Sequence, residues 1–220
     1  MATPTESRLP LSRDRILQAA LKLGDDDGIG PLTMRKLGQT LGFGVMSLYN
    51  HVASKDDVLD GILDLVMAES EPPSPAGDWD TAVRTSAISV HDALRRHPWS
   101  ATVLMAPAGH ARPARWRYME LLLARLREAG FSAETTYHAY HVLDGYIFGF
   151  SLWETSHTYT EEEASKLTAK FTQTITADAY PYLQEHAQQH SSEGPHRELR
   201  AFEFGLDLIL EGLRKIRDTA

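Results

Sequence analysis

Residues 32–52 read LTMRKLGQTLGFGVMSLYNHV, two short apolar-patterned segments that meet at a Gly-Phe-Gly turn. Thr33 is a side-chain acceptor placed to cap a helix over Met34–Leu41, in which Leu37 and Leu41 share one face at a spacing of four. Gly42-Phe43-Gly44 breaks that helix, and a second short segment, Val45–His51, follows at once. Two short helices joined at a glycine-containing turn have the layout of a DNA-reading helix-turn-helix, whose second helix enters the major groove while the first braces it.

Upstream, Ser12 caps a stripe of Ile16, Leu17, Ala20, Leu21 and Leu23, and the run from Gly24 through Asp25-Asp26-Asp27 to Gly28, Gly30 and Pro31 predicts an end near Leu23. Downstream, Ser54 with Asp57 three residues later forms a capping-box-like start to a helix whose Val58, Leu59, Ile62, Leu63, Val66 and Met67 repeat with a helical period. Three prolines and a glycine in Glu71–Gly77 (EPPSPAG) then mark a boundary, giving expected domains at 1–70 and 71–220. Beyond it, breakers and apolar spacing predict helices over about Asp80–His97, a short stretch before Pro107, Pro113–Ala129, and Ser132 to about His157. Another starts near Thr160 and Glu163, and the last runs Pro195–Arg217. No alternating strand pattern is present, so the fold class is all-α, with roughly nine or ten helices.

The length of 220 residues accommodates a three-helix module plus one further helical domain, and 42% hydrophobic residues allow both to bury a core. The absence of cysteine excludes disulfides, thiolate zinc sites and a cysteine nucleophile. No apolar run opens the chain or spans a bilayer, so a cytoplasmic protein with no membrane contact is expected. The net charge of −8 conceals an asymmetry: residues 1–55 carry seven Lys/Arg against five acids, a net +2, which leaves −10 on the remainder. A basic surface on an acidic body orients a protein on phosphate. No HExxH, glycine-rich phosphate loop or GxSxG occurs, so no enzyme is expected.

The pattern continues past the turn into Leu48-Tyr49-x-His51-Val52 and Ser54-Lys55-x-x-x-Leu59, and through these positions the chain resembles the TetR family of repressors over roughly its first 65 residues. The resemblance implies an N-terminal helix-turn-helix domain followed by a larger helical ligand-binding and dimerisation domain. By the same resemblance Arg35, Val45, Met46 and Ser47 face base edges, while Thr33, Tyr49, His51 and Lys55 contact phosphates. Val45 and Met46 are apolar where some relatives carry a polar reader, which shifts the expectation toward contact with thymine methyls. The implied partners are double-stranded operator DNA, a second copy of the chain and a small-molecule effector. The alternative is a DNA-binding activator or architectural protein with no effector.

Gly145 and Gly149, four apart, and Gly205 and Gly212, seven apart, each weaken a helix by ~1 kcal/mol against alanine, a cost that close helix approach explains, either within one subunit or between two. Aromatics concentrate between Trp99 and Trp153, filling either a core or a pocket. The pocket reading names Trp99, Met105, Trp116, Tyr118, Tyr137, His138, His141 and Asp144 as ligand-binding. His138, His141 and Asp144 share a helical spacing, yet no resident metal and no cofactor are expected.

Overall fold

The computed structural model describes residues 10–105, 112–156, 161–176, 178–192 and 197–219, and every regular element among them is helical. Eleven helices follow in order: α1 Arg13–Asp27, α2 Met34–Leu41, α3 Val45–Leu48, α4 Lys55–Ala68, α5 Trp79–Arg96, α6 Ser100–Met105, α7 Pro113–Glu128, α8 Ala133–Ser156, α9 Glu161–Thr174, α10 Pro181–Ser192 and α11 Arg197–Thr219. The all-α expectation holds. α10, which the apolar periodicity does not set apart, is an additional helix whose sequence PYLQEHAQQHSS carries little apolar pattern. Among the described residues no helix is long and apolar enough to cross a membrane.

The chain divides into two compact units, Met1–Tyr140 and His141–Ala220, with the division inside α8. In the first unit the periodic stripes converge as their spacing requires. Ile16, Leu17, Ala20 and Leu21 of α1 join Leu37 and Leu41 of α2, Leu48 of α3 and Val58, Ile62, Leu63 and Val66 of α4 in one core. Gly61 belongs to this packing, because a Cβ there would lie 2.6 Å from a Leu17 methyl.

α1 does not stop near Leu23. It continues to Asp27 and ends at Gly28, whose φ of +76° suits a residue without a Cβ. Gly24 lies inside the helix because Trp99, brought in by α5 and α6, rests on it: a Cβ at Gly24 would sit 3.0 Å from the indole. Tertiary packing here overrides the helix-breaking tendency of glycine. The segment after α4 is held against α5 by two serines, since Ser86 Oγ donates to the Glu71 carbonyl at 2.7 Å and the Glu71 N–H donates to Ser89 Oγ at 2.8 Å.

In the second unit, α11 buries Phe202, Leu206, Leu210 and Leu213, while Leu143, Ile147 and Phe148 are buried on α8. The Tyr146 ring stacks on Phe202 with centroids 5.3 Å apart, and its hydroxyl donates to the Phe202 carbonyl at 2.8 Å. Gly205 makes room for that tyrosine, since a Cβ there would overlap its hydroxyl. Of the four glycines expected at close helix approaches, Gly205 is therefore used within one protomer. Among the described residues, a Cβ at Gly145, Gly149 or Gly212 would meet nothing within 4 Å.

Candidate nucleic-acid interface and effector cleft

The turn between α2 and α3 is fixed by its backbone. Gly42 adopts the left-handed conformation at φ +73° and its N–H reaches back to the carbonyls of Gln39 and Gly38, while the Phe43 N–H donates to Gly38 O at 2.9 Å. Gly38 is required because a Cβ there would stand 2.8 Å from the Phe43 carbonyl oxygen. Arg15 of α1 places its guanidinium 5.5 Å from the centre of the Phe43 ring, bracing the same turn from outside.

The reading element is shorter than expected. α3 covers Val45–Leu48, and residues 49–51 continue as a turn, with the His51 N–H donating to Leu48 O at 2.9 Å. Leu48, wholly buried, and Val52, nearly so, anchor this segment, whereas Met46 is 77% exposed and Tyr49 43% exposed. Val45 and Ser47 are half-buried at its flanks, and Arg35 and His51 are exposed. Thr33 is exposed and its hydroxyl oxygen accepts the Lys36 N–H at 3.1 Å, which caps α2 and leaves the hydroxyl proton free to donate outward.

Lys55 opens α4, where Ser54 Oγ accepts the Asp57 N–H at 3.0 Å and Asp57 Oδ2 accepts the Ala53 N–H at 2.8 Å. This is a reciprocal cap with aspartate in the place of the usual glutamate. Asp57 also takes both arms of Arg13, at 2.8 and 2.7 Å. Lys22 pairs with Asp26 and Lys36 with Asp27. Among the described residues no ion pair engages Arg35, in the first turn of α2, or Lys55, the first residue of α4, so the charge of these two cations is available. The bracing roles of Arg13, Arg15 and Asp57 are not legible in the sequence; the alternation of charge around α1 carries no signal of which cation meets which acid.

Within the first unit, a cleft of about 630 Å³ opens between α4 and α7. Met67, Pro72, Pro113 and Tyr118 supply apolar wall, and Asp64 and Arg117 supply charge. Burial pushes the Asp64 carboxyl up, against the hydrogen bond it accepts from the Ala114 N–H at 3.2 Å. Of the residues expected to bind ligand, Tyr118 lines this cleft. Trp99 instead belongs to the core beside α1, where its Nε1–H donates to Asp25 Oδ1 at 2.8 Å. Met105, Trp116, Tyr137, His138 and His141 lie exposed, and Asp144 is half-buried. The Tyr137 and His138 rings meet edge to face at 5.3 Å. No group of three or more His or carboxylate residues placed to hold a metal occurs among the described residues.

Two further clusters tie α4 to later parts of the chain. Arg112, ahead of α7, donates from Nε to Asp60 Oδ1 at 3.0 Å and from Nη1 to the Leu104 carbonyl at 3.3 Å, and both ion-pair partners are buried. At the C-terminal end of α4, Glu69 takes Arg96 and His97. Burial raises the Glu69 carboxyl, but these hydrogen bonds outweigh it and hold the carboxyl below the ordinary range.

Residues 71–217 match the family model of the tetracyclin repressor-like, C-terminal domain. The chain is 30% identical over 213 residues to the HTH-type transcriptional repressor DrrR1 of Streptomyces coeruleorubidus, covering 92% of this chain and 77% of that protein. It is also 30% identical over 217 residues to the tetracycline repressor protein class C of Escherichia coli, covering 95% and 93%. Among solved structures, the Streptomyces coelicolor TetR family protein ActR in complex with actinorhodin matches with a TM-score of 0.78 at 29% identity, over 93% of this chain and 96% of that one. ActR in complex with (S)-DNPA matches at 0.75 and 29%, over 94% and 99%. With an exposed reading helix on a glycine-fixed turn and a C-terminal body that matches over most of its length, the chain belongs to the TetR family of transcription regulators.

Proposed function

We propose that the protein is a homodimeric repressor that occupies a pseudo-palindromic operator and is released by a small molecule. The observation that carries the DNA half is the outward presentation of Met46 and Tyr49 from a turn pinned by Gly38 and Gly42, with the charge of Arg35 and Lys55 available. Residues 1–70 form the reading domain and 71–220 the regulatory and dimerisation domain in this proposal. The C-terminal family match begins at residue 71, and Glu71–Gly77 supplies the breakers between them.

In the reading domain Arg35, Val45, Met46 and Ser47 meet base edges, and Thr33, Tyr49, His51 and Lys55 hold phosphates. Tyr49→Ala or Lys55→Ala is expected to weaken binding to all duplexes by about tenfold, with the salt slope reduced by about one for Lys55. Substitutions at Met46 or Ser47 are expected to change which operator is preferred, by about 1–3 kcal/mol between competing bases. Affinity measurements over a panel of operator variants distinguish the two behaviours, and equal losses on every duplex for Met46 and Ser47 would remove them from the base-reading set.

The dimer rests on two outward stripes. On α11, Phe204, Leu208, Gly212 and Ile216 repeat every four residues, and the three large side chains are exposed; on α8, Val142, Gly145, Gly149 and Trp153 follow at spacings of three, four and four, with Val142 and Trp153 exposed. An apolar stripe opposite a buried one, with glycines whose Cβ positions meet nothing within 4 Å among the described residues, suits a helix–helix contact with a second copy. Leu208→Glu is expected to give a monomer by light scattering and to lose specific DNA binding, since one head then reads one half-site. A dimer of unchanged affinity would put the interface elsewhere.

The effector is proposed on chemical grounds. ActR is described bound to small molecules, and the α4–α7 cleft has the volume and mixed lining of a ligand site, with Tyr118 in its wall. A ligand there touches α4, the helix that leads out of the reading segment, and so can favour one placement of the heads over another. The deciding experiment is a mobility shift with the DNA flanking the protein's own gene at two salt concentrations, in the presence of a small-molecule panel. A salt-sensitive specific complex released by one compound supports the whole reading; a specific complex that no compound disturbs removes the effector, and no specific complex removes the repressor.

A further inference from the structure

His97 closes α5 with its ring between two carboxylates that come from different parts of the DNA-reading segment. Nδ1 lies 2.8 Å from Asp25 Oδ1 in the last turn of α1, and Nε2 lies 3.0 Å from Glu69 Oε1 at the end of α4. The residue is buried. A neutral imidazole has one N–H and one lone pair, and an ionised carboxylate only accepts, so the two contacts exist together only when the assembly carries a second proton. Asp25 Oδ1 already accepts the Trp99 indole N–H, and Arg96 donates to Glu69 Oε2 at 2.9 Å, so both carboxylates are engaged as acceptors. The imidazolium is the form that satisfies all four groups. It also stands at the C-terminal end of an 18-residue helix, where the backbone dipole attracts a cation.

We propose that His97 is a proton-dependent clasp: charged, it ties α1 and α4 to α5 at once, and neutral, it releases one of them and operator binding weakens. A reading head held at two points meets its half-site with less orientational freedom to lose than one held at a single point. The proposal rests on the reading of the chain as an operator-binding regulator, and it adds a control of that binding by protonation. The charged groups facing the ring are Asp25 from α1, Glu69 from α4 and Arg96 from its own helix, the last turned toward Glu69. α6, the next helix along the chain, has the sequence SATVLM and brings no titratable group.

The test uses the full chain in three forms: wild type, His97→Gln and Glu69→Gln. The second variant leaves a neutral ring able to satisfy its remaining contacts, so the dependence on charge is lost although the histidine stays. The first arm needs no DNA. Hydrogen exchange is followed at the Gly28 amide, bonded to Gly24 O at the end of α1, and at the Glu69 and Ser70 amides, bonded to Val66 O and Met67 O at the end of α4. After correction for intrinsic rates, opening of one of these ends in wild type is expected to rise by about tenfold as the pH is raised across the interval over which the protein stays folded, and to stay flat in both variants. Equal pH profiles in all three proteins would overturn the clasp.

The second arm measures affinity for a duplex of the DNA flanking the protein's own gene. Wild type is expected to lose about tenfold more affinity than His97→Gln over the same interval, the change set by one charged hydrogen bond. The other histidines are the same in both proteins, so whatever they contribute drops out of the comparison. A specific complex whose pH dependence is the same in both proteins overturns the proposal alone; absence of a specific complex, with the exchange difference present, overturns the operator reading instead.

Discussion

Replacing Gly38 with alanine is expected to cost the protein specific DNA binding while leaving most of its helices intact. The new Cβ would stand 2.8 Å from the Phe43 carbonyl oxygen, a backbone atom that no rotamer change can move. That carbonyl belongs to the turn in which the Phe43 N–H returns to Gly38 O at 2.9 Å, so relief of the clash spreads α2 from the turn and tilts α3. Overpacking of this kind costs about 1–3 kcal/mol, which for a chain of this length lowers the melting temperature by several degrees. The effect on recognition is larger than the effect on stability, because a misplacement of about 1 Å takes Val45, Met46 and Ser47 away from the base edges while the sequence-independent phosphate attraction persists. Gly44→Ala is the matched control. Gly44 has φ −67° and a Cβ there meets nothing within 4 Å among the described residues, so operator affinity is expected to stay within about twofold of wild type. Circular dichroism with affinity on specific and random duplexes checks both; equal behaviour of the two variants would show that the turn does not set the reading geometry.

The two glycines illustrate which parts of the molecule are legible in the chain. Gly42-Phe43-Gly44 announces a turn because glycine and local periodicity act within a few residues, and Thr33, Ser12 and Ser54 announce helix starts for the same reason. Gly24 carries the same local signal and misleads, since the cause of its glycine is Trp99, which reaches Asp25 across 74 residues. Trp99 falls among the expected pocket aromatics on similar grounds: composition places aromatic rings in a region of sequence, but the side of the helix they occupy depends on the partner element. His97 reads only as a helix end before Pro98, because its two carboxylates lie 72 and 28 residues away. Asp57 is legible as a cap from its distance to Ser54, yet its pairing with Arg13, 44 residues earlier, is not. The reading surface is accessible to sequence analysis because helix-turn-helix recognition is built from one contiguous stretch. The cleft is less so, since its walls come from α4 and α7.

The Arg112–Asp60 pair belongs to this non-local class, and its removal gives the largest expected loss of stability. Both partners are buried, and the Arg112 Nε–H donates to Asp60 Oδ1 at 3.0 Å while Nη1 donates to Leu104 O. Arg112→Met keeps much of the stem volume but takes the Arg112 guanidinium away from the buried Asp60 carboxylate, a change that costs about 3–5 kcal/mol. For a chain of this size that corresponds to a fall in melting temperature of about 10 °C. Removing both charges in Arg112→Met with Asp60→Leu is expected to recover most of the loss, because a buried ion pair stabilises little beyond apolar residues of similar volume once desolvation is counted. The order of stabilities, single variant below double variant, is the signature sought in urea or thermal unfolding; a double variant no better than the single one would assign the loss to the Leu104 carbonyl contact instead. Asp60 lies on α4 about one turn after the capping Asp57, and Arg112 stands where α7 begins, so this pair fixes the helix leaving the reading segment to the body that forms the cleft. The double variant, folded but without this tie, is therefore expected to bind DNA and yet respond less to any compound that binds between α4 and α7.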